Sequence, residues 1–295
     1  MNSLLVNYIV LFWSFLLVAL FMIFLIRAMM QGRFFVMIIR AFLFLVFFWS
    51  RFIEPQKIVY DEITVDLWVW TTIALISDTH LWVFKDQNFL QKVVDRINDR
   101  PEVGIVLIAG DLLYNPTYNQ SLETLFAPLA SLRAPVYAVL WNHDVGVPWD
   151  PFLRLPLTQA LEAHGVTVMK NDIIWINNFF LVWMAPYLSN EADVSLLERV
   201  EKDETVVVLT HNPDTITNFP NDHADLTLVW HTHCGQIRIP LLYNLLRSYI
   251  VPVTGDFDCG LTQEATTRLY ITPWVWEVLL PMRLLNPPTI SLISI

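Results

Sequence analysis

The sequence predicts an α/β fold in which two sheets pack as a sandwich flanked by helices, preceded by an N-terminal transmembrane segment. Strand and helix patterns alternate after residue 71, which is typical of parallel sheets. Polar clusters directly follow several apolar, β-branched runs, and the carboxyl ends of parallel strands are where such sheets carry functional groups. A long uncharged apolar run at the N-terminus predicts the membrane segment.

The first apolar run extends from Leu4 to Ile26 without a charged residue. At about 1.5 Å per residue, a helix of this length crosses a hydrocarbon core of about 30 Å. The start Met1-Asn2-Ser3 lacks the basic residues of a signal peptide, and Arg27 rather than a small-residue cleavage site ends the run. We therefore expect a retained transmembrane helix over residues 4–26.

A second apolar segment, residues 34–49, carries Arg40 near its middle. An arginine costs about 2.5 to 3.5 kcal/mol at the centre of a bilayer on insertion scales. One alternative is a short second span in which Arg40 is paired or snorkels; the other is a helix lying in the membrane interface.

The number of spans decides the side of the membrane on which the soluble domain lies. With one span, the basic residues that follow the helix put the domain in the cytoplasm by the positive-inside rule, and this is the expected arrangement. With two spans, the loop containing Arg27 and Arg33 would be inside and the domain outside.

Composition divides the chain and limits its partners. We expect a membrane anchor over residues 1–51, a linker with the first strand over 52–71, and one soluble domain over 72–295. The net charge of -10 argues against a nucleic-acid surface, so no nucleic-acid partner is expected. Cys234 and Cys259 do not have zinc-site spacing, and a bridge between them is possible but receives no support from the spacing.

The first half of the soluble domain has a βαβαβ pattern. Helical spacing is clearest at Leu90, Val93, Val94 and Ile97, whereas the strands are short β-branched runs. The predicted elements are a strand over Thr72 to Ser77, a helix over Asn88 to Asn98, a strand over Val103 to Ala109, a helix over Leu122 to Leu132 and a strand over Val136 to Leu140.

The second half continues the alternation and adds a meander. Short apolar runs from Val166 to Met184, with a turn at Asn177-Asn178, predict the hairpins of a second sheet. The other predicted elements are helices over Leu155 to His164 and Ser195 to Lys202, and strands over Val206 to Thr210, Leu226 to Trp230, Leu269 to Thr272 and Val278 to Leu280.

The polar clusters that follow the strands are rich in side chains that bind metals. Carboxylate, amide and imidazole ligands without thiolate suit Mn, Fe, Zn or Mg, and two such cations about 3.5 to 4 Å apart can activate water and bind a phosphoryl group. His143 stands between an amide and the carboxylate of Asp144, where it could transfer a proton or form a structural hydrogen bond. The candidate ligands are Asp78, His80, Asp111, Asn142, His211, His231 and His233.

In their order, these clusters resemble the motifs of the calcineurin-like metallophosphoesterases. The motifs are Asp78-Thr79-His80, Gly110-Asp111, Asn142-His143-Asp144, His211 and His231-Thr232-His233. The runs Thr210-His211-Asn212-Pro213-Asp214 and Gly235-Gln236-Ile237-Arg238 are similar to the membrane-anchored bacterial branch. The resemblance extends from about Thr72 to the C-terminus and implies the metallophosphoesterase sandwich.

The resemblance also implies a role for each residue. Asp78, His80 and His233 would hold one divalent metal ion, and Asn142, His211 and His231 a second, with Asp111 bridging the two. Mn is the leading candidate, and Fe, Zn or Mg are alternatives. His143 would face the phosphate with its ring oriented by Asp144, and a metal-bridging hydroxide would attack phosphorus.

These features together predict a membrane-anchored hydrolase. We expect a phosphodiester or pyrophosphate substrate that is lipid-linked, membrane lipids as partners, and a bacterial plasma or inner membrane as the location. One alternative is a phosphodiesterase with a soluble substrate. The other is a catalytically silent metal-binding membrane protein.

Tryptophan occupies positions where the family usually has glycine, namely Trp82, Trp141 and Trp230, and Cys234 replaces another glycine. The chain has 8 glycines, where average usage of about 7% would give roughly 20, and it has 12 tryptophans. Three explanations remain open. The indoles point away into a core or toward the bilayer, they block a degenerate pocket, or the gene's opal codons encode glycine and were translated as tryptophan.

Overall fold

An apolar helical hairpin and a two-sheet domain make up the computed structural model. It describes residues 3–81, 85–113, 121–141, 144, 153–185, 191–220, 223–230, 234–243, 259–264, 267–273, 275, 277 and 281–295. Strands and α-helices are numbered below in chain order.

Two apolar helices form the N-terminal hairpin. Helix α1 spans Ser3–Met30 and α2 spans Phe34–Phe48, which continues through a π-helical turn at Trp49–Ile53 and a 3-10 turn at Glu54–Gln56. The segments Phe12–Met30 and Phe34–Gln56 are each long and apolar enough to cross a membrane.

Contacts along the hairpin show that its helices are antiparallel. The Phe21 ring lies 6.1 Å from that of Phe44, and the Phe15 ring lies 5.7 Å from that of Phe52. Arg40 donates a hydrogen bond of 2.7 Å to the carbonyl of Phe24, so its guanidinium is paired within the hairpin. This pairing of Arg40 is a feature of the first alternative for the second apolar segment, and the choice between a second span and an interfacial helix stays a prediction.

Among the described residues, the domain contains two sheets of six strands each. In spatial order, the first sheet contains β1 (Val59–Thr64), β12 (Thr289–Ser294), β2 (Thr72–Ile76), β3 (Val103–Ile108), β4 (Val136–Val139) and β5 (Val166–Met169). The second contains β10 (Gly260–Glu264), β11 (Thr267–Ile271), β9 (Leu226–Val229), β8 (Val206–Leu209), β7 (Phe179–Trp183) and β6 (Asp172–Ile176). Neighbouring strands are parallel except in the pairs β12/β2, β10/β11 and β6/β7.

The core lies between the two sheets. Ile73, Leu75 and Leu107 of the first sheet are fully buried in one cluster with Leu181 and Leu209 of the second. A sandwich built on this cluster confirms the predicted α/β class. It also brings the carboxyl ends of parallel strands from both sheets toward one edge.

Within the described part of the chain, three helices cover the first sheet: α3 (Gln87–Asn98), α4 (Leu122–Phe126) and α5 (Arg154–Glu162). Asp86 precedes α3 and caps it, since its side chain accepts a hydrogen bond of 2.9 Å from the Asn88 backbone amide. The apolar residues predicted for its inner face are buried, namely Leu90, Val93, Val94 and Ile97, with Phe89 beside them.

Two predicted helices are shorter or tighter than expected. The helix predicted to Leu132 is α-helical only to Phe126 and continues as a 3-10 turn over Ala127–Ser131, where Pro128 lacks an amide donor. The helix predicted over Ser195 to Lys202 is a 3-10 turn at Val194–Arg199. Its start is capped by the Asp193 side chain, which accepts from the Ser195 amide.

Three strand assignments differ from the sequence prediction. Strand β5, expected in the second sheet, pairs with β4 in the first because α5 acts as a crossover between them. Strands β10 and β12 were not predicted; β12 inserts between β1 and β2, a long-range pairing that no local pattern reveals. The predicted strand at Val278 to Leu280 lies outside the described residues.

Candidate metal centre

Three predicted ligands converge at the edge where the two sheets meet. Asp78 follows β2, Asp111 follows β3 and His211 follows β8, and one ligand atom from each lies within 4.8 Å of the others. All three side chains are buried. Because two ligands come from one sheet and one from the other, the packing of the sandwich creates this cluster.

His80 lies beside the same carboxylates. Its Nε2 atom is 3.7 Å from an oxygen of Asp78 and 3.9 Å from an oxygen of Asp111. These distances are too long for hydrogen bonds, yet they place an imidazole and two carboxylates around one small volume. The structure therefore brings together four of the predicted ligands.

Backbone pairing between the loops after β2 and β3 holds these ligands in position. The amide of Asp78 donates to the Gly110 carbonyl at 3.0 Å, and that of His80 to the Asp111 carbonyl at 2.9 Å. Asp78, His80 and Asp111 have φ values of 47°, 34° and 51°, in the left-handed region. Such backbone costs about 1 to 3 kcal/mol per residue and clusters at functional sites.

The carboxylate of Asp78 has a chemical environment that suits a cation. It is fully buried, and neither oxygen has a hydrogen-bond partner among the described residues. Burial, followed by repulsion from Asp111, raises the pKa of Asp78 well above its ordinary value. A divalent cation would offset both effects, so the donor set fits a metal of the Mn, Fe, Zn or Mg type.

Asp144 joins the loops after β3 and β4. One oxygen accepts hydrogen bonds from the amides of Leu112 at 2.7 Å and Leu113 at 3.2 Å, and the other accepts from Trp141 at 3.0 Å. Burial, followed by the nearby Asp111 carboxylate, raises the pKa of Asp144 to about 7. Asp144 therefore holds the loops after β3 and β4 together, and its role in orienting His143 stays a prediction because His143 lies outside the described residues.

The remaining predicted site residues lie outside the described residues. They are the metal ligands Asn142, His231 and His233 and the catalytic candidate His143; Trp82 also falls outside.

Two indoles pack directly against a ligand ring. Trp141 stacks on His211 with ring centroids 4.1 Å apart and planes 19° apart, and Trp230 meets the same ring edge-on at 4.9 Å. Both tryptophans are 1% exposed, and neither indole N–H has a hydrogen-bond partner among the described residues. The indoles thus lie in the core as the first explanation expects, but against the site rather than away from it.

Cys234, which the resemblance puts at a position usually occupied by glycine, is joined to Cys259 in a disulfide with 5.5 Å between the Cα atoms. The sequence spacing left this bridge possible but unsupported. The disulfide ties the chain after the predicted ligand His233 to the start of β10.

A buried charged cluster beside the centre was missed by sequence reasoning. One oxygen of Glu277 accepts from Lys85 Nζ at 2.9 Å and from Arg283 Nε at 3.0 Å. Burial lowers the pKa of Lys85 to about 7. The available signal was the presence of isolated charges at Glu277 and Arg283 within an otherwise apolar C-terminal segment.

Asn286 connects this cluster both to the apolar hairpin and to a predicted ligand loop. Its backbone amide donates to Glu54 Oε1 at 2.7 Å, just after the second apolar helix. Its side chain donates to the carbonyl of Gly235 at 2.7 Å, two residues after His233. Arg283 reinforces the link, since its backbone amide donates to the Ser50 carbonyl at 2.7 Å.

Comparison with known proteins gives a consistent family assignment. Residues 71–235 match the model of the calcineurin-like phosphoesterase family. A metallophosphoesterase of Helicobacter pylori (strain ATCC 700392 / 26695) is 26% identical over 83% of this chain, which spans 66% of that protein's length.

Two further relatives match over most of the chain. Phosphodiesterase YaeI of Escherichia coli (strain K12) is 29% identical, over 76% of this chain and 81% of the relative. A Danio rerio protein described as a transmembrane protein with metallophosphoesterase domain is 26% identical, over 81% of this chain and 57% of that protein.

Proposed function

Because this chain belongs to the calcineurin-like phosphoesterase family, we propose that it is a membrane-anchored, metal-dependent hydrolase of a lipid-linked phosphodiester or pyrophosphate. The observation that carries the lipid part is the hydrogen-bonded link from Glu54 through Asn286 to Gly235. That link joins the end of a membrane helix to the loop that follows the predicted ligand His233.

The site residues divide between metal binding and proton transfer. Asp78, His80, Asp111 and His211 would hold two divalent ions together with Asn142, His231 and His233, and Mn is the leading candidate. When bound, such ions supply Lewis-acid activation of water and of the phosphoryl oxygens. His143 protonates the leaving oxygen, and Asp144 keeps its loop against the Asp111 loop.

A site close to the membrane favours a substrate that lies in the plane of the bilayer. Ser50 and Glu54, near the membrane-helix end, accept hydrogen bonds from the segment that also contacts Gly235. A phosphate at the headgroup level of the bilayer would therefore lie near the carboxyl edge of the sheets. The name of the E. coli relative supports a phosphodiester, and that of the zebrafish relative supports membrane association.

Two observations favour the extracytoplasmic side for the domain. The hairpin has two helices of membrane-spanning length, which places Arg27 and Arg33 together at its turn and, by the positive-inside rule, favours a cytoplasmic turn. The Cys234–Cys259 disulfide is typical of an oxidising compartment. These features support the two-span alternative over the one-span arrangement expected first. Labelling of intact cells with a membrane-impermeant reagent, at a single cysteine introduced on the domain surface, tests on which side of the membrane the domain lies.

A substrate screen tests the proposal. The full chain, purified in detergent and loaded with Mn, is incubated with a bacterial lipid extract and separately with bis-p-nitrophenyl phosphate. We expect the parent chain to cleave phosphate esters in the lipid extract. The Asp111→Asn variant, which lacks the central carboxylate, should lose this activity. Cleavage of the soluble diester alone would contradict the lipid assignment.

A second candidate function is a catalytically silent metal-binding membrane protein. The stacking of Trp141 on His211 favours it, because an indole occupies space beside the ligands. Bound Mn measured by elemental analysis, without turnover of either substrate class, would support this candidate and contradict the hydrolase.

A further inference from the structure

An exposed apolar surface follows the predicted ligand cluster His231-Thr232-His233 in the chain. We name it the apolar strap and define it as residues 237–242 together with Leu285. Its exposed members are Ile237 at 39%, Ile239 at 39%, Leu241 at 85%, Leu242 at 47% and Leu285 at 61%. A group of large apolar side chains this exposed usually marks an interaction surface.

Backbone pairing holds the two parts of the strap together. Ile237 forms a parallel bridge with Leu284, and the Arg238 amide donates to the Leu284 carbonyl at 2.9 Å. The Leu284 amide in turn donates to the Gln236 carbonyl at 3.1 Å. Leu285 is therefore held beside the 237–242 loop, so the exposed residues form one surface.

The strap is continuous with the membrane hairpin. Arg283 and Asn286, on either side of Leu284 and Leu285, donate backbone hydrogen bonds of 2.7 Å to Ser50 and Glu54. Next to these acceptors, the end of the second membrane helix exposes Trp49 at 42% and Ile53 at 41%. The apolar surface of the hairpin thus passes into the strap at the membrane boundary.

Arg238 and Tyr243 give the strap the chemistry of a membrane interface. The Arg238 guanidinium lies 4.6 Å from the centre of the Tyr243 ring. Aromatic and basic side chains are enriched at the headgroup level, where their apolar parts and polar ends are both accommodated. A lipid surface therefore suits this patch better than a protein groove.

We propose that the apolar strap inserts into the interfacial layer of the bilayer that holds the hairpin, and forms the lip over which a lipid substrate reaches the metal centre. The insertion rests on exposure and on continuity with the hairpin. The substrate-delivery part rests on the proposed function. The strap follows the predicted ligand His233 closely in the chain, so a lipid held against it would have its phosphate near the ligands.

Fluorescence quenching tests the insertion independently of catalysis. Leu241→Cys is labelled with a nitrobenzoxadiazole probe on the full chain in nanodiscs of phosphatidylethanolamine and phosphatidylglycerol, some containing brominated acyl chains. Leu155→Cys on α5, whose native side chain is 64% exposed compared with 85% for Leu241, is the control at an exposed apolar position outside the strap. We expect brominated lipids to quench the probe at 241 and not at 155. Equal quenching by brominated lipids at positions 241 and 155 would overturn the proposal. A change in probe fluorescence at 241 that depends only on protein concentration would also overturn it.

A substrate comparison tests the delivery part. Leu241→Asp and Leu285→Asp should each lower hydrolysis of lipid substrate in nanodiscs by about tenfold or more, because a carboxylate resists insertion. Hydrolysis of bis-p-nitrophenyl phosphate should stay within about twofold of the parent chain, as it should for Leu155→Asp with both substrates. If an aspartate variant fails to fold, Leu241→Ser replaces it in this comparison. Equal losses on both substrates would contradict delivery, whereas a parent chain inactive on both would refute the proposed function and leave the quenching result to decide insertion.

Discussion

Four tryptophans have surroundings that suit an indole poorly: Trp141 and Trp230 beside His211 by their unpartnered N–H groups among the described residues, and Trp68 and Trp70 by their backbone. Trp141 and Trp230 are buried with no hydrogen-bond partner for their N–H groups among the described residues, and an unsatisfied buried donor costs about 1 to 3 kcal/mol. Trp68 and Trp70 adopt φ values of 60° and 61°, with 73% and 84% of their surface exposed. Glycine would adopt this left-handed backbone without a steric penalty.

These positions favour the third explanation of the tryptophan excess, in which opal codons encode glycine. Adding the 12 tryptophans to the 8 glycines brings the total to the roughly 20 that average glycine usage gives. We expect opal codons at positions 68, 70, 141 and 230 of the gene. Peptide mass spectrometry of the protein from its native host should show glycine there. Standard tryptophan codons at these positions would exclude this explanation.

The predicted role of His143 leads to a second residue-scale test. Replacing His143 with alanine should lower turnover by about 10²- to 10⁴-fold, because the leaving oxygen loses its proton donor. Metal content, measured by elemental analysis, should remain near that of the parent. Asp111→Asn is the control, since loss of the central carboxylate should reduce both metal content and turnover. Unchanged turnover in His143→Ala would refute the role.

At the element scale, the segment from Arg283 to Asn286 connects the membrane helix to a ligand loop. Asn286→Ala removes the side-chain hydrogen bond to the Gly235 carbonyl, which supports the loop following His233. We expect Mn affinity to fall by about 10- to 100-fold, as is usual when support for a ligand is lost. Isothermal titration calorimetry of Mn into the full chain measures the affinity of the parent and of the variant.

Asn98→Ala provides the control for this effect. The Asn98 side chain also donates a hydrogen bond of 2.7 Å to a backbone carbonyl, that of Ser131, but the bond lies in an exposed setting outside the ligand loops. Its loss should leave Mn affinity unchanged. Similar losses of affinity in both variants would indicate a general effect on the fold rather than support of the ligand loop by Asn286.

At the scale of the whole molecule, Tyr270 joins the two sheets. Its hydroxyl on β11 donates to the Asp61 carboxylate on β1 at 2.6 Å and lies 2.8 Å from the Ser291 hydroxyl on β12. Burial, followed by the hydrogen bond to Asp61, raises the pKa of Tyr270 above its ordinary value. Tyr270 is thus a polar contact across a mostly apolar interface.

This contact predicts a pH effect on stability. Because the folded pKa is raised, the tyrosine contribution is present below the unfolded pKa of 10.0 and decreases as pH rises above it. Tyr270→Phe should lower the free energy of unfolding by about 1 to 3 kcal/mol at neutral pH. The difference in the free energy of unfolding between parent and variant, measured by urea denaturation, should decrease above pH 10.0. A difference in the free energy of unfolding that increases above this pH would contradict the stabilising role of the Tyr270 hydroxyl.

Local patterns in the sequence were sufficient for the two apolar helices, for most strands and for the candidates Asp78, Asp111 and His211 that converge in the structure. The spacing of Leu90, Val93 and Ile97 predicts the buried face of α3, because helical periodicity depends on neighbours a few residues apart. Asp78 and Asp111 could be chosen because each follows a buried strand. The left-handed backbone of both residues was not predictable, since pairing between two separate loops produces it.

The sequence by itself determined the α/β class, the apolar helices and the chemical type of the candidate metal ligands, because composition and short-range patterns encode them. Only the tertiary structure decided that β12 inserts between β1 and β2, that Cys234 pairs with Cys259, and that Asn286 links Glu54 to Gly235. These contacts join residues far apart in the chain. Their geometry follows from how the two sheets and the hairpin pack, and no local pattern records it.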